Sequence, residues 1–161
     1  MSTAIVLESK NRNNFDFVML FHMLIIFGVF IDPKIAAAIN TRVLMHFGEL
    51  VVGITAGFVE EFLKIFSALL LYYMFKNSIN APAVLYGIAI ASLFAMYEGL
   101  MVYYNTFDTL TLRIITHTLY TGVYFEIVHS RNKHPLMGYL ASALLHALYN
   151  TRAYLITVGG T

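Results

Sequence analysis

Apolar residues fall into long stretches separated by short clusters of charge, proline and asparagine, a spacing that predicts membrane-spanning helices. A hydrocarbon core ~30 Å thick requires about 20 mostly apolar residues per helix. Four stretches fit this description: 17–31, a short one ended by Asp32-Pro33, then 82–104, 110–128 and 136–158. The segments Asn77 to Pro82, Asn105 to Asp108 and His129 to Pro135 read as turns short enough to join antiparallel neighbours.

The stretch from Arg42 to Lys76 contains no turn signal, and as one helix it is ~51 Å long, well beyond a bilayer core. Gly53 and Gly57 are the residues able to break or kink it. The expected arrangement is therefore a span from about Gly57 to Phe75, preceded by a tilted, interfacial or re-entrant helix carrying His46 and Glu49. The fold class is all-α: a polytopic transmembrane bundle of five spans, or six if residues 42–57 cross separately, forming one domain over 1–161. Five spans place Lys10, Arg12, Lys76 and the Arg131/Lys133 loop on the cytoplasmic side, leaving Lys34 and Arg42 outside. Tyr72, Tyr73, Tyr103 and Tyr104 sit at span ends and read as interface anchors.

Composition narrows the function. Of the 161 residues 59% are hydrophobic and 12% charged, about half the charged share of a soluble domain. A net charge of +1 provides no surface for nucleic acid, which is excluded as a partner. With no cysteine, thiolate metal sites and cysteine nucleophiles are excluded as well. Any metal would need histidine and carboxylate ligands.

Ionisable residues inside spans are costly and are candidates for function. Glu60, Glu61 and Lys64 share one helix, where a Glu60–Lys64 ion pair at i,i+4 is the plain structural alternative. Glu98 borders a stripe of small residues, Gly87, Ala91, Ala95 and Gly99, whose spacing lets another helix approach closely. Arg113, His117 and Thr121 share a helix face, as do Gly138, Ser142, His146 and Asn150. His22 reads as a satisfied core histidine. His129 and His134 belong to the basic loop. In the five-span arrangement Glu60, Glu98, His117 and Asn150 come to similar depths in the outer half of the bilayer, with His146 one turn deeper.

These residues resemble the PrsW family of intramembrane proteases, within the superfamily of CAAX prenyl proteases and bacteriocin-processing enzymes. Glu60-Glu61-Phe62-Leu63-Lys64 matches a Glu-Glu-x-x-Lys box and Phe94-Ala95-Met96-Tyr97-Glu98 a Phe-Ala-x-x-Glu box. His117 supplies the single histidine of the next helix, and His146-Ala147-Leu148-Tyr149-Asn150 the closing His-x-x-x-Asn box. The match covers 58–152. Gly99 stands where the family often has asparagine, and glutamate at position 98, where the CAAX branch has histidine, disfavours prenylated substrates.

The resemblance implies an integral protein of a prokaryotic cell membrane that hydrolyses peptide bonds of membrane protein or peptide substrates. It implies a site of Glu60, Glu61, Glu98, His117, His146 and Asn150, with Glu60 as the base that activates water. Such chemistry needs a polar pocket, a carboxylate base and donors for the tetrahedral oxyanion. Glu98, His117 and His146 form a tentative zinc set; the absence of a His-Glu-x-x-His motif leans toward a site that requires no cofactor. Two other classes fit the same polar residues: a noncatalytic scaffold similar to the scaffold subunit of gamma-secretase, and a small proton- or ion-coupled transporter.

Overall fold

Proline 33 does not end the first helix. In a computed structural model describing the backbone of residues 2–102, 106–130 and 134–159, and the side chains of 14–102, 106–129 and 134–152, the first rod runs unbroken to residue 47. We call it α1; it comprises Ser2–Ile25, a π-helical stretch Ile26–Ile31 and Asp32–Phe47. The wide turn hands the chain over with the Asp32 N–H bonded to the Phe27 carbonyl, which leaves Pro33 in the first turn of the next α-helical stretch. A missing N–H costs least there, so the proline that predicts a stop is accommodated instead.

The break comes at Gly48, whose φ of 81° favours glycine. After it, α2 spans Glu49–Phe75 without interruption, so neither Gly53 nor Gly57 breaks the helix. His46 and Glu49, assigned to one interfacial helix by sequence, lie on opposite sides of the Gly48 turn. The two glycines serve packing instead. A Cβ on Gly57 would lie 2.5 Å from the backbone nitrogen of Ala147, and one on Gly53 would lie 3.7 Å from that of Thr151.

Three further rods complete the chain among the described residues: α3 joins Ala83–Tyr97 to Glu98–Val102, α4 joins Phe107–Phe125 to Glu126–Ser130, and α5 is Pro135–Gly159. No strand occurs among the described residues. Tyr103, Tyr104 and the Arg131/Lys133 loop, with the side chains of Lys10 and Arg12, lie outside what is described.

Successive rods are antiparallel. Asn40 meets Glu60 and Asp32 meets Ser67 between α1 and α2, and Gly87 of α3 lies against the Phe125 ring of α4. The small-residue stripe on α3 is buried along its length, at Gly87, Ala91, Ala95 and Gly99, as its spacing predicts. One half of the bundle is a dry core of Leu20, Ile65, Ala68, Leu71, Phe75, Ala83, Tyr86, Ile90, Tyr124 and Phe125. The polar residues occupy the other half.

The outer surface is apolar. Phe62 and Phe66 of α2, Leu85 of α3, Leu119 of α4 and Leu148 of α5 are each more than half exposed, while Glu61, Lys64 and His146 are almost completely inaccessible. A polar centre inside an apolar surface is the distribution expected where lipid is the solvent. Among the described residues, two helices qualify as spans by length and apolarity alone, Asn14–Phe47 and Ala83–Val102. Glu49, Glu60, Glu61 and Lys64 put four charges on α2.

Candidate active site

The polar half is organised around Glu61. Its Oε1 accepts from the Lys64 ammonium and lies 3.0 Å from His146 Nδ1. Its Oε2 accepts from the Thr121 hydroxyl at 2.8 Å and the Ser142 hydroxyl at 2.9 Å. Four groups from α2, α4 and α5 thus converge on one carboxylate, which is 0% exposed. The ion pair is Glu61–Lys64 at i,i+3, in place of the Glu60–Lys64 pairing suggested by spacing.

Lys64 also reaches α4, with Nζ 3.1 Å from His117 Nδ1, and stands 5.1 Å from the centre of the Phe94 ring. An ammonium has no lone pair, so His117 accepts at Nδ1 and carries its ring proton on Nε2. That nitrogen is 3.6 Å from Glu98 Oε2. The two imidazoles meet edge to face, 4.7 Å between centroids. Phe94 stacks on His117 and Tyr120 on His146, so each imidazole has an aromatic ring against one face.

Glu60 is in different surroundings. Its Oε1 accepts from Asn40 Nδ2 at 3.3 Å, and its Oε2 lies 3.6 Å from His146 Nε2, beyond direct hydrogen-bonding range. His146 therefore bridges the two glutamates, bonded to Glu61 and facing Glu60. Helical geometry separates consecutive side chains by about 100°, which is why two adjacent carboxylates on α2 look in different directions.

Glu98 sits at the edge, its side chain 13% exposed and paired at 3.0 Å with the guanidinium of Arg113, itself 25% exposed. Asn150 lies one turn beyond His146 on α5, and no hydrogen bond ties its side chain to the cluster among the described residues. Of the six residues singled out by sequence, five are joined by contacts within 3.6 Å, Lys64 linking the Glu61 side to the His117 side. His22 is exposed, with Nδ1 on the Val18 carbonyl of its own helix at 2.7 Å, and so is not a core residue.

One group of side chains could ligate a metal, with a different carboxylate from the one grouped by sequence. Ligand atoms of Glu60, His117 and His146 lie within 4.8 Å of one another and all three residues are buried. By donor type the set suits zinc, and the Glu61 contact orients His146 as outer-shell carboxylates do. His117 fits less directly, because Lys64 must release Nδ1 before Nε2 offers a lone pair.

Sequence reasoning passed over Asn40, Thr121 as a ligand of Glu61, and Ser142. The last two share the helix faces of His117 and His146 and carry that signal; Asn40 lies before the motif-bearing core and carries none.

A helical chain with an apolar exterior and a buried centre of carboxylates and imidazoles defines an integral membrane protein built around a buried polar site. The family described as PrsW family intramembrane metalloprotease matches residues 17–161. The chain belongs to that family, one of intramembrane peptidases. Among curated proteins and among solved structures, nothing matches the chain.

Proposed function

We propose that this protein is a five-span intramembrane endopeptidase in which Glu60 activates water for hydrolysis of peptide bonds in membrane protein substrates. The supporting observation is the unequal treatment of the two glutamates: Glu61 has four polar partners, whereas Glu60 leaves a 3.6 Å gap to His146 Nε2. A water at that gap has an acceptor on each side.

Glu60 takes one proton from the water as its oxygen attacks the scissile carbonyl, and returns that proton to the leaving amine nitrogen as the C–N bond breaks. Products are a carboxylic acid and an amine. The Nε2–H of His117, its tautomer fixed by Lys64, donates to the oxyanion, with Asn150 as the further donor implied by the motif. Glu61 does not meet substrate; it holds His146, Thr121 and Ser142 in place. Glu98 and Arg113 form the open edge of the site.

Zinc is the second reading, favoured by the proximity of Glu60, His117 and His146 and by the family description. These three residues would hold the ion, which when bound supplies Lewis acidity toward a carbonyl or water.

Cleavage of a panel of reconstituted single-span membrane proteins tests the main reading, with Glu60→Gln as control. Identical products from wild type and variant overturn it. Zinc near one equivalent, lost together with activity on chelation and in His117→Ala, selects the second reading over the first. For the topology, single cysteines at Asn77 and His134 should react with an impermeant thiol reagent from one face and a cysteine at Glu49 from the other.

A further inference from the structure

The first helix lies outside every motif, yet it touches the site. Asp32, Ala36 and Asn40 recur at four-residue intervals and so share one face of α1. Asp32 accepts from Ser67 at 2.9 Å, Ala36 is buried at 2% exposure, and Asn40 Nδ2 donates to Glu60 Oε1 at 3.3 Å. The two polar contacts thus bracket an apolar one.

Asn40 has a second feature. Its Oδ1 is buried and has no hydrogen-bond partner among the described residues. Burying an amide oxygen unpaired is costly, and nothing in the packing of α1 requires it, because an apolar side chain would fill the position without that cost. What the position gains at that cost is the donor end of the amide, which reaches Glu60.

We infer that Asn40 is a positioning residue for Glu60, its amide N–H fixing one carboxylate oxygen so that the other faces the reacting water. Nδ2–H donates to Oε1 and leaves Oε2 directed toward His146. Water gives up its proton to Oε2, so Oε1 remains an acceptor and the same N–H holds it throughout the cycle. No covalent bond of Asn40 changes. The inference rests on Glu60 being the base, and it makes α1 part of the machinery.

The test is steady-state cleavage of the best-cleaved member of the single-span panel, reconstituted, by wild type, Asn40→Asp, Asn40→Leu, Asp32→Asn and Glu60→Gln. Asn40→Asp keeps the shape but replaces the donor by a second carboxylate against Glu60; Asn40→Leu removes both ends of the amide. We expect kcat to fall about 10- to 100-fold in both, more in Asn40→Asp, with KM within about twofold of wild type. Asp32→Asn, on the same face but bonded only to Ser67 among the described residues, should retain kcat. Activity is expressed per folded molecule, so a variant that only loosens α1 shows wild-type kcat on a smaller folded fraction. That result, or wild-type kcat in both Asn40 variants beside an inactive Glu60→Gln, overturns the inference alone. An active Glu60→Gln, or no cleavage by wild type of any panel member, overturns the reading of the site beneath it.

Discussion

Glu60 and Glu61 are neighbours in the chain and almost equally inaccessible, 4% and 0% exposed, yet they occupy two different regions. Around Glu61, side chains of α2, α4 and α5 supply an ammonium, an imidazole and two hydroxyls. Around Glu60 the described residues supply one amide from α1 and an imidazole at a distance. Removing a charge from water costs several kcal/mol unless its lone pairs are satisfied. Glu61 meets that requirement and so acts as the cross-brace of the bundle. Glu60 does not, and a carboxylate left short of donors inside a membrane protein is the one with capacity to bind water and accept a proton. On the proposed reading, burial alone does not distinguish the structural carboxylate from the reactive one; the number of partners does.

The comparison is most strongly tested by substitutions at the two glutamates. Glu60→Gln should reduce kcat by about 10²- to 10⁴-fold, the usual contribution of a general base, with little change in the thermal midpoint. Glu61→Ala should instead destabilise the protein by about 3–5 kcal/mol, because it strands the Lys64 charge in the interior. Denaturation in mild detergent alongside activity per folded molecule separates the two. Adding Lys64→Met to Glu61→Ala should recover part of the stability and none of the activity, since His146 and His117 both lose their orienting partners. If Glu60→Gln proves the more destabilising of the two, the assignment of roles is reversed.

Much of this arrangement was legible beforehand, and the failures have specific causes. Gap lengths and turn residues located α3, α4 and α5 to within a few residues, because charge, proline and asparagine punctuate those boundaries. Four-residue spacing placed His117 with Thr121 and Ser142 with His146. Proline 33 misled because a proline is a stop only where its missing N–H is needed, and the π-turn removes that need. Gly53 and Gly57 misled because a glycine that admits another helix and one that breaks its own look alike in sequence. Which of the two glutamates takes Lys64 was not legible either: i,i+3 and i,i+4 partners are both within reach on a helix, and the choice is made by α4 and α5, which bring in His117 and His146.

Gly57 connects the two regions, and its substitution should have an intermediate effect. A Cβ there would lie 2.5 Å from Ala147 N and 2.9 Å from Ala143 O, all rigid backbone, so α2 and α5 must separate. Overpacking of this kind costs about 1–3 kcal/mol. The displaced helix carries His146, whose bond to Glu61 and gap to Glu60 both depend on that approach. Gly57→Ala should therefore lower stability and also reduce kcat in the molecules that remain folded, a combination expected of neither region alone.

The smallest effect is expected at His22. Its imidazole is exposed on α1 and, among the described residues, bonds only to the Val18 carbonyl one turn earlier, with the Phe21 ring edge-on at 6.1 Å. A carbonyl already within its own helical ladder loses little when a second donor is removed, and alanine is the better helix former. Substitutions away from the core and from buried networks usually stay within about 0.5 kcal/mol of wild type. His22→Ala should therefore leave both the thermal midpoint and kcat close to wild type, as measured in the same detergent and liposome preparations. A loss of activity at His22 as large as that expected at His146 would show that being an imidazole within a span is what counts, and that partnership with the two glutamates is not what marks the site.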